Sequence, residues 1–381
     1  MPNDKLEMKS TMTYWPTKEM RTARKRSNIS HVFTFISLFS FLISHLLLLS
    51  CNSIDDDLSD CLPTQTNHEI DYDLQLVTNM TTELSTQLTT VTDIALASVL
   101  RNHLTTIFTD YAHDVDLSFF DVQGDSVLLH HESHIMDANQ SSYTLYIPRR
   151  KYMHLAVANV KNNTMVNLEK GDRCHSERLR QERRDTVESH NTGLFTARQS
   201  MEMLEGVNQS FNVHLYMANC AATLVIDTTA VTNVKQVRVY TTGFASSFSI
   251  ADSTYHFDDV PPIVRTSRIT NTDNGCVGFC SVNFPSRDVT RTVIETTDPF
   301  VTDEADHALW QFRVYVTLDD GSTTESILYI RQQLMAGQLK VLKARLQNDG
   351  SLASDDQTVA VSVTLNWNNG GQYDPVLIKK N

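Results

Sequence analysis

The chain has 381 residues, of which 41% are hydrophobic and 20% charged; this composition argues against a largely disordered protein and allows two domains of ordinary size. Its net charge is −13, and because residues 1–50 hold seven basic against three acidic side chains, the remainder carries −17. So acidic a body is a poor partner for nucleic acid or anionic lipid headgroups, and any membrane attachment must have another source.

Residues 1–50 have the organisation of a signal peptide. A basic cluster at 21–26 is followed by residues 32–49, which carry no charge, and Met20 beside the cluster is a candidate initiator. An apolar stretch of this length also suits an uncleaved membrane anchor, so the residues that follow it decide between the two.

The residues that follow predict a lipoprotein. Leu48-Leu49-Ser50-Cys51 resembles a bacterial lipobox, in which cleavage between Ser50 and Cys51 leaves an acylated cysteine at the new N-terminus. Each buried CH₂ group of an acyl chain contributes about 0.8 kcal/mol, so two or three chains hold a protein firmly on a membrane. An ordinary cleaved signal would leave no such anchor.

An acidic run lies in the tether that we expect at residues 51–67. It consists of Asp55, Asp56 and Asp57. Acidic runs are usually solvated and nothing more. This one also resembles the surface-export signal of Bacteroidetes lipoproteins, which would place the body outside the cell.

Short strands dominate the body, and one amphipathic helix is expected at 88–108, where apolar residues recur at intervals of three and four. A mixed-sign run at 177–185 predicts an exposed loop or short helix, and its basic residues are a weaker candidate for gripping an acidic partner. A long loop is expected at 261–305. The predicted strands are 68–78, 114–121, 126–131, 143–147, 152–160, 211–217, 222–227, 234–241, 244–250, 310–318, 323–330 and 358–367.

This order of elements predicts a mainly β protein with two β-sandwich domains. The N-terminal domain would span 68–200 and contain the inserted helix, and the C-terminal domain would span 201–381. The clearest hairpin is at 310–330, where Asp320-Gly321 supplies the backbone conformation of a tight turn.

Candidate metal and disulfide sites are weak. His130, Glu132 and His134 would share one face of a strand, but their spacing of about 7 Å is too wide for one ion, so we expect surface histidines and no metal. Cys276 and Cys280 form a CxxxC motif without a second pair of ligands, which leaves a local disulfide or two free thiols. With Cys51 acylated, five cysteines remain, so at least one has no partner within the chain.

Catalytic and cofactor motifs are missing from the sequence, which contains no G-x-S-x-G, H-E-x-x-H, Walker loop or G-x-G-x-x-G. Carboxylate pairs leave no short motif, so a hydrolase stays a distant alternative, but we expect neither an enzyme nor a cofactor. Trp310, Trp367 and Tyr373 could stack on sugars, but each lies in or beside a strand pattern, where packing in the core is the usual role.

The segment from Cys51 to Cys61 (CNSIDDDLSDC) resembles the opening of the Bacteroidetes fimbrial anchor lipoproteins, the FimB-like group, although Leu62 intervenes before Pro63. The later part of the chain, from the helix at 88–108 through the strands, resembles that family in its pattern of elements and carries no further motif. It implies two transthyretin-like Greek-key β-sandwich domains, the first with the inserted helix. It also implies an accessory subunit that fixes a fimbrium to the extracellular face of the outer membrane through its acyl chains.

In that family the subunits join by β-strand addition, in which main-chain hydrogen bonds give affinity and alternate side chains give specificity. The resemblance therefore implies a fimbrial stalk subunit as partner. Whether the strand at 358–367 donates, or a groove of this chain accepts, stays open, as does an anchor against a tip role. The alternative is a surface glycan-binding lipoprotein with no fimbrial role.

Overall fold

The part of the chain that the computed structural model describes is mainly β, as predicted. It contains two α-helices, neither of them long and apolar enough to cross a membrane. The predicted signal peptide (1–50) lies outside the described residues, as does the predicted tether (51–67) except for its last residue, Asn67, which begins the first strand. The described residues are 67–109, 111–123, 126–136, 142–204, 209–270, 275–288, 308–356 and 358–366.

The two helices are α1 (Met80–Leu88) and α2 (Ile94–Ile107). The helix predicted at 88–108 is therefore partly wrong, because a break at the end of α1 delays its start. Asp93 caps α2, and its Oδ1 accepts a hydrogen bond from the backbone N–H of Leu96 at 3.0 Å. Each helix buries one leucine-rich stripe at intervals of four, namely Met80, Leu84 and Leu88 in α1 and Leu96, Leu100 and Leu104 in α2.

The strands follow one another closely along the chain. Their bounds are β1 (Asn67–Val77), β2 (Asp114–Asp121), β3 (Leu128–Ile135), β4 (Ser142–Pro148), β5 (Lys151–Ala158), β6 (Val166–Glu169), β7 (Arg178–Gln181), β8 (Thr186–Glu188), β9 (Phe195–Glu202), β10 (Gln209–Met217), β11 (Cys220–Asp227), β12 (Val234–Thr242), β13 (Ser247–Ser249), β14 (Thr254–His256), β15 (Ile263–Arg265), β16 (Ser267–Thr270), β17 (Cys276–Asn283), β18 (Trp310–Leu318), β19 (Thr323–Ile330), β20 (Leu339–Leu346), β21 (Leu352–Ala353) and β22 (Val359–Asn366). A short 3₁₀ helix lies at Cys174–Ser176.

These strands form four sheets with seven, six, five and four members. The seven-stranded sheet has the order β3-β2-β5-β9-β10-β1-β4, and the six-stranded sheet β22-β19-β18-β12-β15-β8. The five-stranded sheet has the order β16-β17-β11-β20-β21, and the four-stranded sheet β14-β13-β7-β6. Because β10 pairs in parallel with β1, the first sheet continues past residue 200, and the domain boundary there stays a prediction, as does the transthyretin-like topology.

Three apolar cores hold the sheets together. The first lies between the seven-stranded sheet, the helices and one face of the five-stranded sheet, and the second between the other face of that sheet and the six-stranded sheet. The third joins the seven- and four-stranded sheets. Burial on both faces explains why β11 is a continuous apolar run: Val225 enters the first core and its neighbour Leu224 the second.

The long loop predicted at 261–305 is wrong over its first part, which forms β15, β16 and β17. Gly278 in β17 shows why local pattern misses this strand. A Cβ atom there would lie 3.3 Å from Leu100 Cδ2 of α2, so the glycine allows the helix to pack closely on the strand. The charged run at 177–185 likewise contains β7 instead of a loop or helix.

Candidate interaction edge

The final described strand, β22, forms one edge of the six-stranded sheet. It pairs antiparallel with β19 over its whole length, and no other described strand pairs with its second edge. Val359 and Val361 pack against the second core, as the alternation predicts. Val363 is 42% exposed on the same face. Among the described residues, the outer edge of β22 therefore presents a row of main-chain groups without strand partners, next to a partly exposed apolar face.

Edge strands normally carry features that prevent further pairing, such as charge, proline, bulges or short length. In β22 all eight residues are uncharged and none is proline. The edge strand β3 contains Glu132 among three histidines, and β4 is uncharged but ends in Pro148. The opposite edge of the six-stranded sheet, β8, has only three residues. Among the described edges, β22 is thus the longest without such protection.

In β3, Glu132 contacts both His130 and His134 directly. Glu132 Oε1 lies 2.6 Å from His130 Nε2, and Glu132 Oε2 lies 2.9 Å from His134 Nε2. Both carboxylate oxygens are therefore engaged by the two rings. Within the described ranges no group of three or more such side chains has the arrangement of a metal site.

The disulfide considered between Cys276 and Cys280 is not formed, and both cysteines are free. Both lie in β17, where four residues of strand separate their Cα atoms by about 13 Å, whereas a disulfide needs less than about 7 Å. Cys280 is buried and accepts a hydrogen bond from the Thr223 hydroxyl at 3.4 Å. Burial raises the pKa of its thiol to about 12, which makes it unreactive.

Of the other residues predicted to form sites, Trp310 lies in the core and the rest lie outside the described residues. Trp310 is 1% exposed and donates from Nε1 to the Gln332 carbonyl at 2.9 Å, so it packs in the second core and cannot stack on a sugar. Trp367 and Tyr373 lie outside the described residues. So do Ser50, Cys51, Asp55, Asp56 and Asp57.

Glu177 and His190 are among the buried ionisable side chains that sequence reasoning missed. Glu177 is 2% exposed; its Oε1 accepts from the Ser118 hydroxyl at 2.9 Å, and burial raises its pKa to about 7. His190 is 1% exposed, and burial lowers its pKa to about 3. Nothing in the local sequence marks either position as buried, because the strands that cover them come from distant parts of the chain.

Known proteins give the following similarities. The fimbrial anchor protein Mfa2 from Porphyromonas gingivalis shares 10% identity, with 78% of this chain and 98% of that chain covered and a TM-score of 0.41. A candidate adhesin from Bacteroides ovatus shares 10% identity over 80% and 97%, with a TM-score of 0.49. A candidate polysaccharide-binding protein from Bacteroides thetaiotaomicron shares 9% identity over 77% and 97%, with a TM-score of 0.45. No curated protein matches the sequence.

The family comparison is decisive, since it covers most of the body. The model of the fimbrillin-A associated anchor proteins Mfa1 and Mfa2 matches residues 78–369. It begins after the Cys51 to Cys61 segment, so the match is independent of the motif that first suggested the resemblance. The chain belongs to the Mfa2 family of fimbrillin-A associated anchor proteins.

Proposed function

We propose that this chain is a lipid-anchored accessory subunit that fixes a fimbrium to the extracellular face of the outer membrane and joins its stalk by β-strand addition. The single observation that carries the second half of the proposal is the unprotected edge of β22. Membership of a family of anchor proteins supports the first half. The membrane contact would come from acyl chains on Cys51, because the acidic body offers no electrostatic attraction to anionic lipid.

Strand addition at β22 has a clear physical gain. An incoming strand would pair its main chain with the free edge and place alternate side chains over the second core. Val363, now 42% exposed, would become covered, and Val361 beside it is already half-buried. The edge of β22 therefore acts as acceptor in this proposal, and a stalk subunit supplies the strand.

A positive charge at position 363 tests this proposal, because an added strand would cover that side chain. Val363→Lys leaves the free chain folded, because the side chain is partly exposed, but buries an unpaired ammonium group once a strand is added. We expect the amount of stalk protein that co-purifies from detergent-solubilised outer membrane to fall at least about tenfold, which corresponds to about 1.4 kcal/mol of binding.

Thr364→Lys is the matched control, since the adjacent side chain is exposed on the opposite face of the strand. It should leave co-purification unchanged. If Tyr146→Lys in β4 abolished co-purification of the stalk protein and Val363→Lys did not, the binding edge would be β4 and not β22. Purification of the acylated wild-type chain without any fimbrial protein would contradict the fimbrial role altogether.

The acidic run Asp55 to Asp57 would act as the signal that sends the lipoprotein to the outer face. Its removal should leave acylation intact and retain the chain at the inner face of the outer membrane. Protease added to intact cells measures this directly: it should degrade the wild-type protein and spare the deletion variant. A variant with the three residues replaced by glutamate keeps the charge and should remain exposed.

A further inference from the structure

One end of the seven-stranded sheet receives the chain from the predicted tether. β1 begins there at Asn67, which pairs with Pro148 at the end of β4. The turn after Pro148 therefore lies beside the point at which the tether joins the body. Residues 52–66 reach about 50 Å when fully extended, so acyl chains on Cys51 would keep this end of the sheet within that distance of the membrane.

Backbone hydrogen bonds bring two further turns to the same end. The Val122 N–H donates to the Lys151 carbonyl at 3.4 Å, and the Met203 N–H donates to the Arg150 carbonyl at 3.0 Å. The turn from β2 to β3 and the turn from β9 to β10 therefore flank the turn from β4 to β5. We call this end the tether rim, and its described residues are 121–123, 126–128, 148–151 and 202–204.

Apolar side chains are exposed along the tether rim. Val122, Val127 and Leu204 are each between 45% and 49% exposed. Isolated exposed apolar residues are ordinary on soluble proteins, whereas these three lie on the two turns that flank the turn from β4 to β5. Tyr146, two residues before the end of β4, is also exposed, and tyrosine is favoured at membrane surfaces because its ring is apolar and its hydroxyl is polar.

The charges of the tether rim are close to balance, although the body carries −17. The turns that form it contain three basic and four acidic side chains, namely Arg149, Arg150, Lys151, Asp121, Asp125, Glu202 and Glu205. The Arg150 guanidinium lies 3.3 Å from Asp121 Oδ2, and Lys151 Nζ lies 3.0 Å from Glu202 Oε1. Because the rim carries almost no net charge, apolar burial would govern its contact with lipid.

We propose that the tether rim docks on the outer membrane, with Val122, Val127 and Leu204 inserted among the lipid headgroups. The inference rests on the proposed acylation of Cys51, because the rim is too small to hold the body on a membrane without acyl chains. The tether keeps the rim near the lipid at a high effective concentration, so that a weak contact is occupied. Docking would fix the direction in which the body stands on the membrane.

Tryptophan fluorescence of the acylated full chain in lipid vesicles tests the docking. The vesicles consist of phosphatidylethanolamine and phosphatidylcholine, with and without bromine near the top of the phosphatidylcholine acyl chains. Bromine quenches an indole only at that depth. Val127→Trp and Leu204→Trp should each lose about half or more of the emission that the added tryptophan contributes, since interfacial side chains reach this depth. The wild-type chain in the same vesicles supplies the emission of the native tryptophans.

Tyr216→Trp is the matched control, because it places an exposed tryptophan at the other end of the same sheet. Tyr216 follows Gln209, the first residue of β10, by seven residues, which puts it about 23 Å from the tether rim. Its emission should be the same in brominated and plain vesicles. Mass spectrometry of the N-terminus confirms acylation in each sample.

Quenching at the two rim positions alone supports the docking. Unchanged emission from both rim variants, in chains that are acylated and bound to the vesicles, overturns it and leaves the lipid anchor standing. Equal quenching at position 216 also overturns it, because the body would then have no preferred orientation. An N-terminus without acyl chains would contradict both the docking and the proposed function.

Discussion

Tyr72 of β1 and His154 of β5 meet in the first core, where the tyrosine hydroxyl lies 2.5 Å from His154 Nε2. The other ring nitrogen, Nδ1, lies 3.0 Å from the Ser118 carbonyl oxygen and must donate to it, so Nε2 accepts from the hydroxyl. Both residues are fully buried, and the ring of His154 also stacks on Phe119 with 4.3 Å between centroids. The neutral histidine thus satisfies all its hydrogen bonds inside an apolar core.

Tyr72→Phe should destabilise the protein, because it leaves His154 Nε2 buried without a donor. We expect the free energy of unfolding to fall by about 1–3 kcal/mol. Urea denaturation measures it. Tyr146→Phe, which changes a side chain of a residue that is 54% exposed, serves as control and should shift the value by less than about 0.5 kcal/mol. Equal effects of the two substitutions would show that the buried contact contributes nothing.

Glu177→Gln should stabilise the protein at alkaline pH and not at acid pH. Burial raises the pKa of Glu177 to about 7, above its ordinary value of 4.5, so the folded state binds the proton more tightly and loses stability as pH rises from 4.5 to 7. Glutamine carries no charge to bury. We expect a gain on the order of 2 kcal/mol in the free energy of unfolding at pH 8.

Denaturation at pH 8 and at pH 5 separates this effect from a simple change in packing. The gain should be small at pH 5, where the native carboxyl is already protonated. Glu202→Gln, on an exposed side chain, should change stability little at either pH. A gain of the same size at both pH values would rule out the buried charge as its cause.

Acid should unfold the protein through its buried histidines, in the opposite direction to Glu177. Burial lowers the pKa of His154 to about 4 and that of His190 to about 3, so below pH 6.5 the unfolded chain binds protons that the folded chain does not. The free energy of unfolding therefore decreases as the pH is lowered, by roughly 2 kcal/mol per histidine between pH 6.5 and pH 5.

The Glu177→Gln variant is the right background for this measurement, since it removes the opposing carboxyl. Adding His190→Leu should halve the loss of unfolding free energy over the same pH range. A pH dependence that does not change on replacement of His190 would contradict the assignment.

Cys51→Ala should abolish acylation and release the body from the membrane, because no other attachment is expected of so acidic a body. Mass spectrometry of the N-terminus and fractionation of the cells measure the two effects. Cys61→Ala, which keeps the lipidated cysteine, should stay in the membrane fraction. Retention of the Cys51→Ala chain in the membrane would point instead to an uncleaved anchor.

Local sequence was sufficient where an element's own side chains determine it. The alternation of 114–121 predicted β2 to the residue, and the hairpin of β18 and β19 was predicted because Gly321, with φ +84°, allows the turn that joins them. The terminal strand was also predicted, with Val359 and Val361 on the face that packs on the core. The segment ending at Cys51 that resembles a lipobox is likewise a local pattern, and the lipidation it implies stays a prediction.

The tertiary structure decided everything that depends on partners distant in sequence. The pairing of Ile70 with Gln209 in a parallel ladder, the closure of α2 over Gly278 and the position of β22 at an edge have no local signature. The same holds for the tether rim, where turns distant in sequence bring Val122 and Leu204 to one end of a sheet. A periodic pattern states which face of a strand is buried, but only packing between sheets selects the neighbour that buries it.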